Sequence, residues 1–236
     1  MAHNLPTHIA IIPDGNRRWA TIKGIPILQG HRAGADRMHQ VVDNLTQLGL
    51  KYLTVWGFSA DNWKRTDEEV QSLFDLLGLW IVNDTPWLHE KGVRLRHIGR
   101  LHELPPDLQE VINDTVKLTA DNPGMTLTLA FNYTGRDEIV DAVRRLIDSG
   151  RLFEPAMSRP PLDEKLFSHY LYTGGMPDVD LVIRTAGEFR LSNFMLWQTA
   201  YSEYYFTEAL WPDFDKLELE KALKVYQERD RRFGGD

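Results

Sequence analysis

Short apolar segments alternate with helical patterns along almost the whole chain, and this alternation restricts the fold more than any other feature. Strands are predicted at residues 8–12, 52–58, 93–99, 125–131, 179–184 and 203–207. Helices are predicted at 31–48, after the Thr66/Glu69 capping box, from Pro105–Pro106 to about Asp121, at 136–148 and at 216–229. Because several strands are apolar nearly throughout, we predict an α/β fold with a mostly parallel central sheet of about six strands flanked by helices.

A single domain over residues 1–236 is expected from the length and from the even spacing of these patterns. A chain of 236 residues can bury one sizeable core. Only residues 149–164 look like a long loop, and predicted helices flank this stretch too closely for it to separate two domains.

Composition excludes several classes of protein. The net charge of -7 argues against a sequence-independent nucleic-acid binder, which needs a basic face. The chain has no cysteine, so disulfides and thiol nucleophiles are excluded. The N-terminus lacks the pattern of a signal peptide, and no apolar run approaches ~18 residues. We therefore expect a cytoplasmic protein with at most peripheral membrane contact.

Polar and charged residues follow four of the predicted strands. They are Asp14 to Trp19 after the first strand, Ser59, Asp61, Asn62, Trp63 and Arg65 after the second, Asn132, Tyr133 and Arg136 after the fourth, and Arg184, Thr185, Gly187, Glu188, Arg190 and Ser192 after the fifth. Ligands of open parallel sheets bind at the carboxyl ends of the strands, so these side chains are expected to share one site.

The residue types at this edge suit phosphate groups. Arginine presents a permanently charged planar fork that binds phosphate oxygens at two points, and arginines from three loops are enough for two diphosphates. Asp14 is the oxygen ligand that a Mg²⁺ ion bridging protein and diphosphate requires. Taken singly, each signal has a plainer interpretation: a turn for Asp14–Asn16, a solvated pair for Arg17 and Arg18, and a helix cap for Ser59 and Asn62. The phosphate loop GxxxxGK[ST] and the GxGxxG turn are missing from the sequence.

Several longer stretches carry a resemblance to one family. They are "HIAIIPDGNRRWA" (8–20), "GHRAG" (30–34), "FSADNWKR" (58–65), "FNYTGRDEIV" (131–140), "DLVIRTAGEFRLSNFMLWQTAYSEYYF" (180–206), "LWPDF" (210–214) and "RRFGG" (231–235). In order and spacing the chain resembles the cis-prenyltransferases, also called undecaprenyl diphosphate synthase-like enzymes. The resemblance implies a homodimer with a hydrophobic tunnel that condenses isopentenyl diphosphate onto an allylic diphosphate such as farnesyl diphosphate, with Mg²⁺, to give a Z-polyprenyl diphosphate.

The resemblance also implies roles for individual residues. Asp14 and Asn62 are expected to be catalytic, and Asp14 and Glu203 to serve the metal. The expected substrate-binding residues are Gly15, Asn16, Arg17, Arg18, Trp19, His31, Ser59, Trp63, Arg65, Arg184, Arg190, Ser192, Arg232 and Gly234. Arg232 and Gly234 match a C-terminal motif that reaches into the partner's site.

Product length is expected to depend on apolar residues of the inner strands and one helix: Gly57, Leu73, Leu76, Met125, Leu127 and Leu129. Taken singly, each of them is more typical of a plain core. Gly57 is small, Met125 is flexible, and no added segment of the kind found in very long-chain members is seen, so a medium-length product serving as a lipid-carrier precursor is predicted.

Departures from the family pattern affect substrate choice more than reaction type. Ile27 stands where many members have an arginine, Arg17 where many have a glycine, and Phe189 where some have a histidine. Two alternatives stay open. One is a short-chain or branching (head-to-middle) synthase on the same fold, and the other is a non-catalytic partner subunit.

Overall fold

A single six-stranded parallel sheet forms the centre of the molecule. The computed structural model describes residues 5–151 and 161–229. The strands are β1 His8–Ile12, β2 Tyr52–Ser59, β3 Arg94–Ile98, β4 Thr126–Tyr133, β5 Leu181–Arg184 and β6 Glu203–Phe206, in the order β3-β4-β2-β1-β5-β6. Every neighbouring pair is parallel. The predicted α/β class and the six strands are confirmed.

Seven helices flank the sheet in the described part of the chain. They are α1 Asn16–Lys23, α2 Ile27–Gln47, α3 Asp67–Glu90, α4 Pro106–Leu118, α5 Gly135–Asp148, α6 Glu164–Ser168 and α7 Lys216–Gln227. Neither α1 nor α6 was predicted. The predicted loop at 149–164 includes residues 152–160, which lie outside the described residues. The described helices include none whose length and apolar character would let it cross a membrane.

The two faces of the sheet bury different cores, as the alternation of side chains along a strand requires. On β1, Ile9 and Ile11 belong to the larger core, and Ala10 and Ile12 to the smaller one. The larger core includes residues of α2, α3, α4 and α7, and the smaller includes Phe194. Both faces of β1 are buried, and this explains why its sequence is apolar nearly throughout.

The position of β1 determines where a ligand can bind. The next strand along the chain, β2, pairs with one side of β1, and β5 pairs with the other side of β1. A reversal of this kind opens a crevice at the carboxyl ends of the strands. Asp14 follows β1, and Arg184 is the last residue of β5.

Candidate active site

A cavity of about 600 Å³ lies at this crevice and joins a charged end to an apolar end. Its charged and polar lining is Asp14, Asn16, Arg17, Arg18, His31, Ser59, Asp61, Asn62, Arg65, Arg184 and Ser192, with Gly15 among them. The structure therefore brings together most of the residues that the sequence assigned to diphosphate binding.

An ion pair between Asp14 and Arg184 crosses the crevice between β1 and β5. The Arg184 side chain is only 5% exposed and donates from Nη2 to Asp14 Oδ2 at 2.9 Å. Its Nη1 donates to the Arg190 carbonyl at 2.5 Å and to Ser192 Oγ at 2.9 Å. Arg184 is thus held in one orientation, with a buried Nε that has no protein partner among the described residues.

The backbone around Asp14 is fixed by contacts with the loop after β5. Thr185 Oγ1 accepts from the Asp14 amide at 2.8 Å and donates to the Asp14 carbonyl at 2.7 Å. Gly15 follows with φ 106°, and a Cβ there would lie 2.9 Å from Leu210 Cδ2. Only glycine tolerates both the positive φ and the close approach of Leu210. Since glycine has no side chain, the first amides of α1 have no side-chain cap at the cavity.

Two further carboxylates each bind a pair of arginines. Glu188 accepts from Arg18 Nη2 at 3.3 Å and from Arg190 Nη1, and these arginines, Arg190 first, lower the pKa of Glu188. On the opposite side, Glu69 accepts from Arg65 Nη1 at 2.9 Å and from Arg17 Nη1 at 3.1 Å. Glu69 lies outside the residues assigned from the sequence, where it was interpreted only as part of a helix cap.

His31 lies in α2 beside the second pair of arginines. Burial, and then the charges of Arg65 and Arg17, lower its pKa to about 4, although Glu69 opposes this shift. Its Nε2 is buried and has no partner among the described residues. At neutral pH the ring is therefore uncharged and offers the cavity a hydrogen-bonding nitrogen.

Ser59 and Asn62 line the cavity and also cap a short 3-10 turn. Their placement therefore agrees both with a helix cap and with a role in the site. Ser59 Oγ accepts from the Asp61 amide, and Asn62 Oδ1 accepts from the Ser59 amide at 3.0 Å. Trp63 does not line the cavity; its Nε1 donates to Asn132 Oδ1, and its ring contacts Phe58 and Phe74.

The apolar end of the cavity includes four of the six predicted tunnel residues: Gly57, Leu73, Leu76 and Leu129. Met125 and Leu127 are buried in the larger core and are not part of the lining. Met38, Leu77, Trp80 and Phe131, which the sequence analysis did not assign, contribute instead. A Cβ at Gly57 would lie 3.0 Å from Phe131 Cδ2, so Gly57 accommodates this ring. A continuous tunnel stays a prediction.

Three other predicted residues lie apart from the lining. Trp19 Nε1 donates to Asp213 at 2.8 Å, and Arg190 borders the cavity through Glu188 and Ser192. Glu203 is the first residue of β6, at the end of the sheet opposite Asp14, and it pairs with Arg229. Arg232 and Gly234 lie outside the described residues.

The side chains at the cavity offer the carboxylate of Asp14 as a ligand for Mg²⁺. No group of three or more His, Cys, Asp or Glu side chains in residues 5–151 and 161–229 is arranged to hold a metal. Asp14 is 39% exposed, and its Oδ1 has no partner within those ranges. Mg²⁺ usually binds through one or two carboxylates together with substrate phosphates and water, so Asp14 suits it, whereas Glu203 of the same chain lies at the other end of the sheet.

The chain is similar to known proteins over nearly its full length. The family model described as "Putative undecaprenyl diphosphate synthase" matches residues 12–234. An isoprenyl transferase of Heliobacterium mobile is 47% identical over 99% of this chain and 89% of its own length. That of Thermotoga maritima is 45% identical, covering 98% of this chain and 97% of its own.

Two solved structures share the fold over nearly the full chain. Lavandulyl diphosphate synthase from Lavandula x intermedia, in complex with dimethylallyl diphosphate, has a TM-score of 0.91 and 37% identity, covering 98% of both chains. A probable undecaprenyl diphosphate synthase from Campylobacter jejuni has a TM-score of 0.80 and 31% identity, covering 98% of this chain and 99% of its own.

The sheet, the arginine-lined crevice and these matches define a cis-prenyltransferase. The chain belongs to the undecaprenyl diphosphate synthase family, and it is a transferase of prenyl groups.

Proposed function

We propose that the protein catalyses sequential, Mg²⁺-dependent cis-condensation of isopentenyl diphosphate onto an allylic diphosphate such as farnesyl diphosphate. The observation that carries this proposal is the convergence of Arg17, Arg18, Arg65 and Arg184 on one cavity whose other end is apolar. An anionic head and a hydrocarbon tail on one ligand match these two ends.

The arginines supply the main chemical effect. When the allylic C–O bond breaks, its electron pair leaves with the diphosphate, and fixed guanidinium groups stabilise that charge more than they stabilise the intact substrate. When bound at Asp14, Mg²⁺ would add Lewis-acid stabilisation of the same charge.

No activated side-chain nucleophile is required. The carbon–carbon double bond of isopentenyl diphosphate forms the new bond to the allylic carbon, and a proton is then lost from the condensed intermediate. We assign the relay of this proton to Asn62, which lines the cavity beside Ser59. The departing diphosphate is the final acceptor of the proton. Unchanged turnover in Asn62→Ala, compared with the cap variant Ser59→Ala, would count against this relay.

We propose a medium-length product, in keeping with the family description. A second candidate is a short-chain or branching product, which two observations favour. The cavity is about 600 Å³, the size of a site for an ordinary small ligand, and Trp80 and Phe131 border its apolar end. The structural neighbour from Lavandula makes lavandulyl diphosphate and was solved with dimethylallyl diphosphate.

Incubation with labelled isopentenyl diphosphate, Mg²⁺ and allylic diphosphates of increasing length, followed by chromatography, tests these proposals. Products that grow by repeated units support sequential condensation, and a product of one condensation supports the second candidate. A purified protein inert with every allylic diphosphate would overturn both and favour a non-catalytic subunit. Omission of Mg²⁺ is expected to abolish turnover.

We further propose a homodimer. Alpha-helix α5 presents Val140, Val143 and Ile147 at helical spacing, each more than 40% exposed, and the edge strand β6 has one free side in the described sheet. Light scattering coupled to size-exclusion chromatography tests this proposal, and a monomer at micromolar concentration would contradict it.

A further inference from the structure

The first turn of α3 has the sequence signature of a capping box, but its glutamate is used elsewhere. Thr66 Oγ1 accepts from the Glu69 amide at 3.4 Å, which is half of the motif. The Glu69 carboxylate is turned instead toward Arg17 of α1 and Arg65 of the loop before α3. This diversion gives Glu69 a role that helix capping does not explain.

Stability alone does not account for the bridge either. Arg17 is 54% exposed, and an exposed ion pair of this kind adds little to the free energy of unfolding. Glu69 is 17% exposed and lies between two cations that belong to different elements and would otherwise repel each other. What the carboxylate does fix is the relative orientation of the two guanidinium groups at the cavity.

The geometry leaves most donors of both arginines available. Each guanidinium uses only Nη1 to reach Glu69, while its Nε and Nη2 have no partner within the described residues. A guanidinium group carries five N–H donors in a rigid fork, so an anion can bind without displacing the carboxylate. Both arginines line the cavity.

The other side of the site repeats this arrangement. Glu188 holds Arg18 and Arg190 as Glu69 holds Arg17 and Arg65, with the Asp14–Arg184 pair between them. Two arginine pairs, each bridged by one carboxylate, match the two diphosphates that a condensation needs.

We propose that Glu69 is a positioning residue that orients Arg17 and Arg65 toward the allylic diphosphate and thereby sets the affinity for that substrate. This inference rests on the proposed function. Without the carboxylate the two cations separate and regain side-chain freedom, so binding of the diphosphate must order them again.

The test compares Glu69→Gln with Glu68→Gln, because Glu68 is exposed in the same helical turn and its change removes the same charge. We expect Glu69→Gln to raise KM for the allylic diphosphate about tenfold, the scale of one charge-assisted contact, with KM for isopentenyl diphosphate within about twofold. Glu68→Gln should leave both values unchanged. Glu69→Asp, which keeps the charge on a shorter side chain, should give an intermediate KM and covers the case in which Glu69→Gln folds poorly.

Two further measurements separate positioning from a general structural effect. In an Arg17→Gln background the effect of Glu69→Gln should shrink at least threefold, since one of the oriented groups is gone. Calorimetric titration with inorganic pyrophosphate should show weaker binding to Glu69→Gln whether or not the protein turns over any prenyl substrate. This readout distinguishes failure of the inference from failure of the proposed function. Equal effects of Glu68→Gln and Glu69→Gln, or an unchanged allylic KM and pyrophosphate affinity, would overturn the proposal.

Discussion

At the scale of single residues, the site is built from charges that are already paired. Three carboxylates, Asp14, Glu69 and Glu188, hold its arginines. Among the described residues, Arg184 is the most buried arginine of the site, and its carboxylate partner Asp14 is 39% exposed. A substrate therefore meets arginines whose directions are set before it binds, which reduces the cost of ordering them.

Asp14→Asn tests this arrangement at its centre. The amide keeps the size of the side chain but removes the charge that pairs with Arg184 and would bind Mg²⁺. We expect kcat/KM to fall by about 10² to 10³, the usual effect of removing one preorganised electrostatic group. Steady-state kinetics with a melting curve checks this prediction, and Asp114→Asn is the matched control, because its side chain is 66% exposed, pairs with Lys117 and does not line the cavity. A loss of less than about threefold would contradict it.

At the scale of secondary structure, α3 contributes four apolar side chains to the cavity. Leu73, Leu76, Leu77 and Trp80 all face the cavity from this helix. Trp80 is only 9% exposed, and its Nε1 has no partner within the described residues. The indole borders the apolar end of the cavity, where the proposed function places the hydrocarbon chain.

Trp80→Leu should enlarge this end and lengthen the products. We expect the product distribution to shift by at least one isoprene unit, at a stability cost of a few kcal/mol for the lost packing. Chromatography of labelled products gives the measurement, and Leu79→Ala, at a position that is 57% exposed on the same helix, is the control. An unchanged distribution in a folded Trp80→Leu protein would show that Trp80 does not limit chain length.

The strands were predictable because several of them, such as β1, are apolar over nearly their whole length, whereas α1 was not. Asn16–Lys23 begins at a left-handed Gly15 without a side-chain cap, so no local signal marks its start. The polar side of the site followed from residues placed directly after strands. Its apolar side did not, since Met125 and Trp80 both belong to the larger core and only Trp80 also lines the cavity.

At the scale of the whole molecule, three buried or partly buried histidines couple the fold to pH. Burial lowers the pKa of His8, His31 and His97, to about 4 for the last two. The unfolded chain therefore binds more protons between pH 4 and 6.5, and the free energy of unfolding should fall as the pH falls through this window. Burial raises the pKa of Glu138, and this acts in the opposite direction.

Comparing variants isolates the contribution of the histidines. His97 Nε2 lies 3.0 Å from the Phe131 carbonyl, and glutamine can donate to the same oxygen. In His97→Gln, the change in the free energy of unfolding across this pH window should be smaller by roughly 2–3 kcal/mol. Urea denaturation at several pH values gives this measurement. His102→Gln, at an exposed position, should leave the slope unchanged. Parallel slopes for His97→Gln and the parent protein would contradict this assignment.

Glu69 and the cavity-lining residues Leu73, Leu76, Leu77 and Trp80 follow one another at helical spacing along a single side of α3. We expect a hydrocarbon chain long enough to contact Trp80 to displace α3 and to move the Glu69 carboxylate away from Arg17 and Arg65. The diphosphate would then be bound less tightly as the hydrocarbon chain lengthens, so release of a long product would need no separate signal. Dissociation rates of prenyl diphosphates of graded length should rise beyond one threshold length, and that threshold should move outward in Trp80→Leu.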